Sequence, residues 1–101
     1  KKIQIKKKMG WCDDINSNYY NKPIKIKKNV KHEKLYRKDN KYDLLIPINF
    51  NTKPIIKNKG SAIFIHLTKN YETTDGCVAL LKKDFLILLR LINSKTKIKI
   101  Y

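Results

Sequence analysis

Residues 61–67, SAIFIHL, place their side chains alternately on two faces, Ala62, Phe64 and His66 on one and Ile63, Ile65 and Leu67 on the other. This is the strongest strand signal in the chain, and His66 sits near its end. A polar loop, TKNYETTDG, follows over residues 68–76, and the brief apolar run CVAL rises straight out of it at Cys77. KKDFLILLRLIN, residues 82–93, has the length and leucine content of a buried helix, with Lys82 and Lys83 at its start, Asp84 in its first turn and Asn93 as its stop. TKIKIY, residues 96–101, alternates again and closes the chain as a strand. Strand, loop, Cys turn, helix and strand make an α+β fold without internal repeats, mostly β with one buried helix after the cysteine.

The first part of the chain is less periodic. KKIQIKKK alternates Ile3 and Ile5 with polar residues, as an edge strand would whose lysines discourage pairing with another chain. GWCDDINSNYYNKP, residues 10–23, is loop chemistry around aromatic side chains. Residues 24–42 predict a short strand at Ile24 to Ile26 and then a helical turn. YDLLIPINF, residues 42–50, is β-prone, but Pro47 cannot donate to a ladder, so this strand belongs at an edge or a bulge.

At 101 residues the chain is one domain, residues 1–101. It opens at Lys1 and its only methionine is Met9, so an upstream segment, with an export signal, is expected to precede it. No apolar run reaches the roughly 18 residues of a membrane span, FLILLRLI being broken by Arg90. The formal charge is +16, from 24 Lys and Arg against 8 Asp and Glu. Such an excess suits nucleic acid, an anionic membrane or an acidic polymer. Only two of these cations are arginine, which disfavours nucleic acid, whose readers rely on bidentate Arg. Lysine dispersed among Ile and Asn reads first as solvated surface, and only second as charge with a function.

Two cysteines, Cys12 and Cys77, permit one disulfide but have neither the spacing of a disulfide scaffold nor that of a metal knuckle, and no metal or organic cofactor is implied. A cysteine nucleophile needs its thiolate, and a neighbouring imidazole both accepts the proton and stabilises the anion. A hairpin-like return would bring His66 to Cys77. Gly76 lets the backbone turn tightly, so that amides around Gly76, Cys77 and Val78 could face an oxyanion. Chemistry alone leaves two readings open, a nucleophile and a buried structural thiol.

GSAIFIHL, the TTDGCVAL turn, the leucine-rich helix and KTKIKI together resemble the C-terminal half of a YkuD-like L,D-transpeptidase catalytic domain. GWCDD, HEKLYR and YDLLI resemble a branch of that family with a Trp-x-Asp-Asp segment and a His-Glu segment, so the likeness runs from Trp11 to Ile100. It implies a mixed β-sheet or sandwich, with Cys77 as nucleophile, His66 as general base and Gly76 with the Cys77 amide in the oxyanion hole. Thr74 and Asp75 complete the turn, and Trp11, Ser61 and Tyr71 are candidates for binding substrate. It also implies peptidoglycan stem peptides as substrate and a place in the bacterial cell envelope, periplasmic or otherwise extracytoplasmic. An anionic wall polymer or a lysine-bearing acceptor protein are further partners on this reading.

The likeness has departures. Better-known members read Ser-His-Gly-Cys, a hydrophobic residue and Arg, where this chain has Asp75 before Gly76 and Ala79 at the arginine position. Arg37 and Lys59 are the candidate replacement cations. The strands that the family contributes ahead of this region are expected to be missing or reduced, leaving the domain N-terminally incomplete. Trp11, Tyr19 and Tyr20 suit packing under a loop as well as a groove wall, and His32 with Glu33 is read as structural. Asp13 and Asp14 are adjacent, so their side chains diverge and form no acid and base pair. The rival functions are a noncatalytic lysine-rich module binding nucleic acid or cell wall, and a family member that has kept the fold and lost the chemistry.

Overall fold

A computed structural model describes residues 3–69, 74 and 76–99. Alternation near the start of the chain becomes a strand only from Met9, and Gly10 to Cys12, expected in a loop, belong to that strand because two neighbours pair with it. β1 (Met9–Cys12) is the centre of an antiparallel sheet, between β2 (Pro23–Lys25) and β3 (His32–Lys34). The register sets Gly10 opposite both Ile24 and Lys34, and Cys12 opposite His32. A Cβ at Gly10 would lie 3.1 Å from Ile26 Cγ1 and 3.3 Å from the Glu33 carbonyl oxygen, so this central position has room for little beyond glycine.

The second sheet is ordered β4 (Leu45–Pro47), β5 (Phe64–Leu67), β6 (Val78–Leu80). β4 runs antiparallel to β5, and Pro47 sits on an edge strand as its missing N–H requires. β6 runs parallel to β5, with Ile65 opposite Val78 and His66 opposite Ala79. The hairpin-like return expected between His66 and Cys77 is therefore corrected to a crossover, because parallel neighbours cannot be joined by a hairpin.

β5 is buried on both faces. One face, Phe64 with Ala62 ahead of it, packs with Leu35 and Tyr42 against Met9 and Trp11 of the first sheet. Ile65 and Leu67 on the other face meet Phe85 and Leu88 of α1 (Lys82–Leu91). Among the described residues, two small sheets and one helix thus give the mixed α+β fold expected from the order of strand, loop, Cys turn and helix.

Three local expectations differ. Ile3 and Ile5 form no strand; Ile5 packs into the first core cluster, and a turn from Lys6 to Met9 leads into β1. The helical turn expected after Ile26 is replaced by β3, because β1 has a second edge to satisfy. Residues 96–99 are not in a strand, and the last two residues of the expected strand, 100 and 101, lie outside the described residues; Asn93 stops the helix and then organises a turn, accepting from the Lys95 N–H at 2.8 Å.

α1 follows the cysteine as expected, but it buries only Phe85 fully, at 1% exposed, with Leu88 partly covered beside it, while Leu91 is 76% exposed. Leu91→Lys should therefore change stability by no more than about 0.5 kcal/mol. A thermal melt checks this, and a loss of several kcal/mol would show that Leu91 is packed.

Candidate active site

His66 lies on the face of β5 that it shares with Phe64, and it is 7% exposed. Its Nδ1 is 2.8 Å from the Leu67 carbonyl oxygen. That oxygen can only accept, so Nδ1 carries a proton, and in the neutral imidazole Nε2 is then the acceptor.

Cys77 immediately precedes β6, so it comes alongside Phe64, diagonal to His66 across the parallel ladder. Diagonal neighbours across a sheet lie about 7–8 Å apart, within reach of aromatic and long side chains. The Cys77 thiol is docked on the start of β5, donating to the Ala62 carbonyl at 3.3 Å and accepting from the Phe64 N–H at 3.5 Å. Thr74 Oγ1 donates to the Cys77 carbonyl, closing the turn, and Gly76 holds φ of 102°, a conformation that favours glycine. A cysteine at the mouth of a strand, fixed by two backbone contacts and diagonal to an imidazole with a free lone pair, has the parts of a thiol nucleophile and its base.

A match to a family model, described as the L,D-transpeptidase catalytic domain of YkuD, covers residues 4–100. The chain belongs to the YkuD family. No curated protein and no solved structure matches it. YkuD domains act on peptidoglycan peptides and are generally extracytoplasmic cell-wall enzymes. Among the described residues no helix is long and apolar enough to cross a membrane.

The other residues singled out in this YkuD chain fall into separate places. Trp11 packs edge-on against Phe64 with ring centroids 5.1 Å apart, and its Nε1 donates to Asn21 Oδ1 at 3.0 Å. Ser61 Oγ donates to the Cys12 carbonyl at 2.9 Å. Both therefore join the two sheets. Tyr71 and Asp75 lie outside the described residues. Cys12 is fully buried, unbonded to Cys77, and opposite His32, whose Nδ1 lies 2.8 Å from the Val30 carbonyl oxygen. Asp14 accepts from the Asn16 and Lys31 N–H groups at 2.9 and 3.2 Å, and these bonds, the Asn16 one foremost, hold its carboxyl below the usual range.

Two residues matter that the sequence did not mark. Tyr42 lies against His66, with ring centroids 5.5 Å apart, and its hydroxyl donates to Glu33 Oε1. Burial, then the Glu33 hydrogen bond, keeps the Tyr42 phenol protonated well above its ordinary range. Arg37, paired with Asp39, lies 5.0 Å over the Tyr42 ring. The Arg37 hydrogen bond in turn holds the Asp39 carboxyl well below the usual carboxylate range. The available signal was Glu33 itself: two residues before Leu35 on an alternating strand, it shares the core-facing side.

Asn21 is the second such residue. Buried and at φ of 59°, it accepts from Trp11 Nε1 and the Ala62 N–H, and donates from Nδ2 to the Phe50 and Asn51 carbonyls at 2.9 and 2.8 Å. It thereby fixes Ala62, which carries the carbonyl facing the Cys77 thiol at φ of 58°. A cavity of about 770 Å³ lined by Lys38, Lys41, Thr68, Lys69 and Lys82 lies beyond Leu67, and neither Cys77 nor His66 lines it.

Proposed function

We propose that the chain, as one catalytic domain, is a cysteine-dependent L,D-transpeptidase that acts on peptidoglycan stem peptides in the bacterial envelope. The reading is supported above all by the juxtaposition of the Cys77 thiol with an imidazole whose Nδ1 is committed to the Leu67 carbonyl. Nε2 of His66 takes the thiol proton, and the Cys77 thiolate attacks the carbonyl carbon before the terminal D-residue of a donor peptide. Amides of Gly76 and Cys77 stabilise the tetrahedral oxyanion. As the C–N bond breaks, the imidazolium returns its proton to the departing amine, leaving a thioester on Sγ. An acceptor amine then attacks the thioester and gives its proton to His66, and the C–S bond breaks to restore the thiolate. The acceptor is a second stem peptide or a protein lysine; water in its place gives a carboxypeptidase side activity.

The clearest test is intact-mass analysis after exposure to a carbapenem, whose strained amide carbonyl should be opened by an activated cysteine in an oxyanion site. The expected result is one stoichiometric adduct on the wild type and on Cys12→Ser, and none on Cys77→Ser. Folded protein that acquires no adduct would instead support the noncatalytic binding module or the family member without chemistry.

A further inference from the structure

Tyr42 borders the reactive pair, and the chemistry proposed above makes no use of it. It belongs to the buried cluster against which Cys77 packs, and its ring also meets His66. We infer that Tyr42 is a positioning residue for Cys77 and His66, holding the imidazole in the orientation from which Nε2 takes the thiol proton. The inference rests on the reading of Cys77 and His66 as nucleophile and base.

The ring of Tyr42 is fixed from several sides. Its hydroxyl is tied to Glu33 on β3, its ring stands nearly perpendicular to Phe64 at 5.7 Å, and the Arg37 guanidinium covers it at 5.0 Å. Arg37 is held in turn by Asp39, with Nε 2.9 Å from Oδ1. Among the described residues the imidazole has one hydrogen-bond restraint, from Nδ1 to the Leu67 carbonyl. A half-turn about χ2 would exchange Nδ1 for a carbon and remove the acceptor from the thiol. The Tyr42 ring, inclined at 63° to the imidazole, stands against that rotation.

The titratable and charged groups around the Tyr42 ring are Glu33, Arg37 with its partner Asp39, His66 and Cys77. Glu33 and Arg37 bring opposite charges to it, so no field of one sign prevails there. A phenolate would repel the thiolate, and burial with the Glu33 bond keeps Tyr42 neutral.

The test is the pH dependence of Cys77 alkylation by iodoacetamide on the whole chain, with peptide mass mapping to separate Cys77 from Cys12. In the wild type the alkylation midpoint should lie below the value of about 8.5 for a free thiol. Tyr42→Leu should lower the neutral-pH rate about tenfold and move the midpoint up by about one unit, toward the free-thiol value. Tyr42→Phe keeps the ring and loses only its anchor, so its rate should fall about threefold.

If folded Tyr42 variants melt earlier but keep the wild-type alkylation profile, the ring is structural only; the inference is then overturned while the transpeptidase reading stands. A wild-type midpoint at the free-thiol value overturns the pair, and this inference with it. Should Tyr42→Leu fail to fold, Tyr42→Phe and Glu33→Gln decide the matter, an unchanged profile in both being the contrary result.

Discussion

Replacing His66 by glutamine should slow carbapenem acylation of Cys77 by about 10²–10⁴-fold at neutral pH while leaving the fold intact. Glutamine is polar and fills similar space, so the site can hold it without a large change in packing. It has no nitrogen able to take a proton, so the thiol must ionise unaided. The deficit should shrink as pH rises through about 8.5, where a free thiol ionises by itself. Adduct formation followed by intact mass against time, at several pH values, measures both effects. A variant that keeps more than a tenth of the wild-type rate at neutral pH would remove His66 from the role of base.

The largest effect on stability is expected at Asn21, which takes no part in the proposed proton transfers. Asn21→Ala should cost about 3–5 kcal/mol, because it strips partners from buried donors and acceptors and places a Cβ-bearing residue without a side-chain amide at positive φ. The deprived groups are the Trp11 indole N–H, the Ala62 N–H and the Phe50 and Asn51 carbonyls. Against a total of roughly 0.05–0.15 kcal/mol per residue, such a loss would leave much of the chain unfolded at moderate temperature. Asn21→Gly relieves the backbone strain but restores none of the bonds, so it should recover only about 1 kcal/mol. Urea denaturation of both variants gives the numbers, and a loss below 1 kcal/mol for Asn21→Ala would show that the hydrogen bonds are replaced by water.

Much of the second sheet was legible because its residues obey one period over a continuous run. The alternation in SAIFIHL assigns Phe64 and Ile65 to opposite faces, and they enter separate core clusters. Pro47 announces an edge through the N–H it lacks, and β4 is an edge. The helix was legible in its bounds but less so in its depth, since FLILLRLI is apolar nearly all round and periodicity cannot say which side a small domain has enough material to cover. Only the Phe85 side is covered deeply.

The first sheet was obscured for a different reason. Its strands are three or four residues long and rich in Lys, Gly and His, so what makes them strands is pairing with β1 rather than any local preference. The same holds around the candidate site. His66 and Cys77 were marked by their chemistry and by the family resemblance. The Glu33–Tyr42 contact and the Asn21 bonds join residues distant in sequence whose types are ordinary in turns and on surfaces. A side chain that acts by meeting remote backbone carbonyls leaves no local periodic mark.

Parallel pairing of β5 and β6 has a consequence for how such a site can diverge. In a hairpin the turn dictates the register, so any change in its length shifts one strand against the other. Here the register, Ile65 against Val78 and His66 against Ala79, is set by two strands that a crossover joins, and one buried face of β5 pins it further. The span between Leu67 and Val78 is thereby relieved of measuring the distance from imidazole to thiol. Insertions and exchanges ahead of Thr74 could then reshape what approaches Cys77 while His66 stays aligned with the strand that follows the cysteine, so that, on the proposed function, substrate choice and chemical competence would be separately heritable traits.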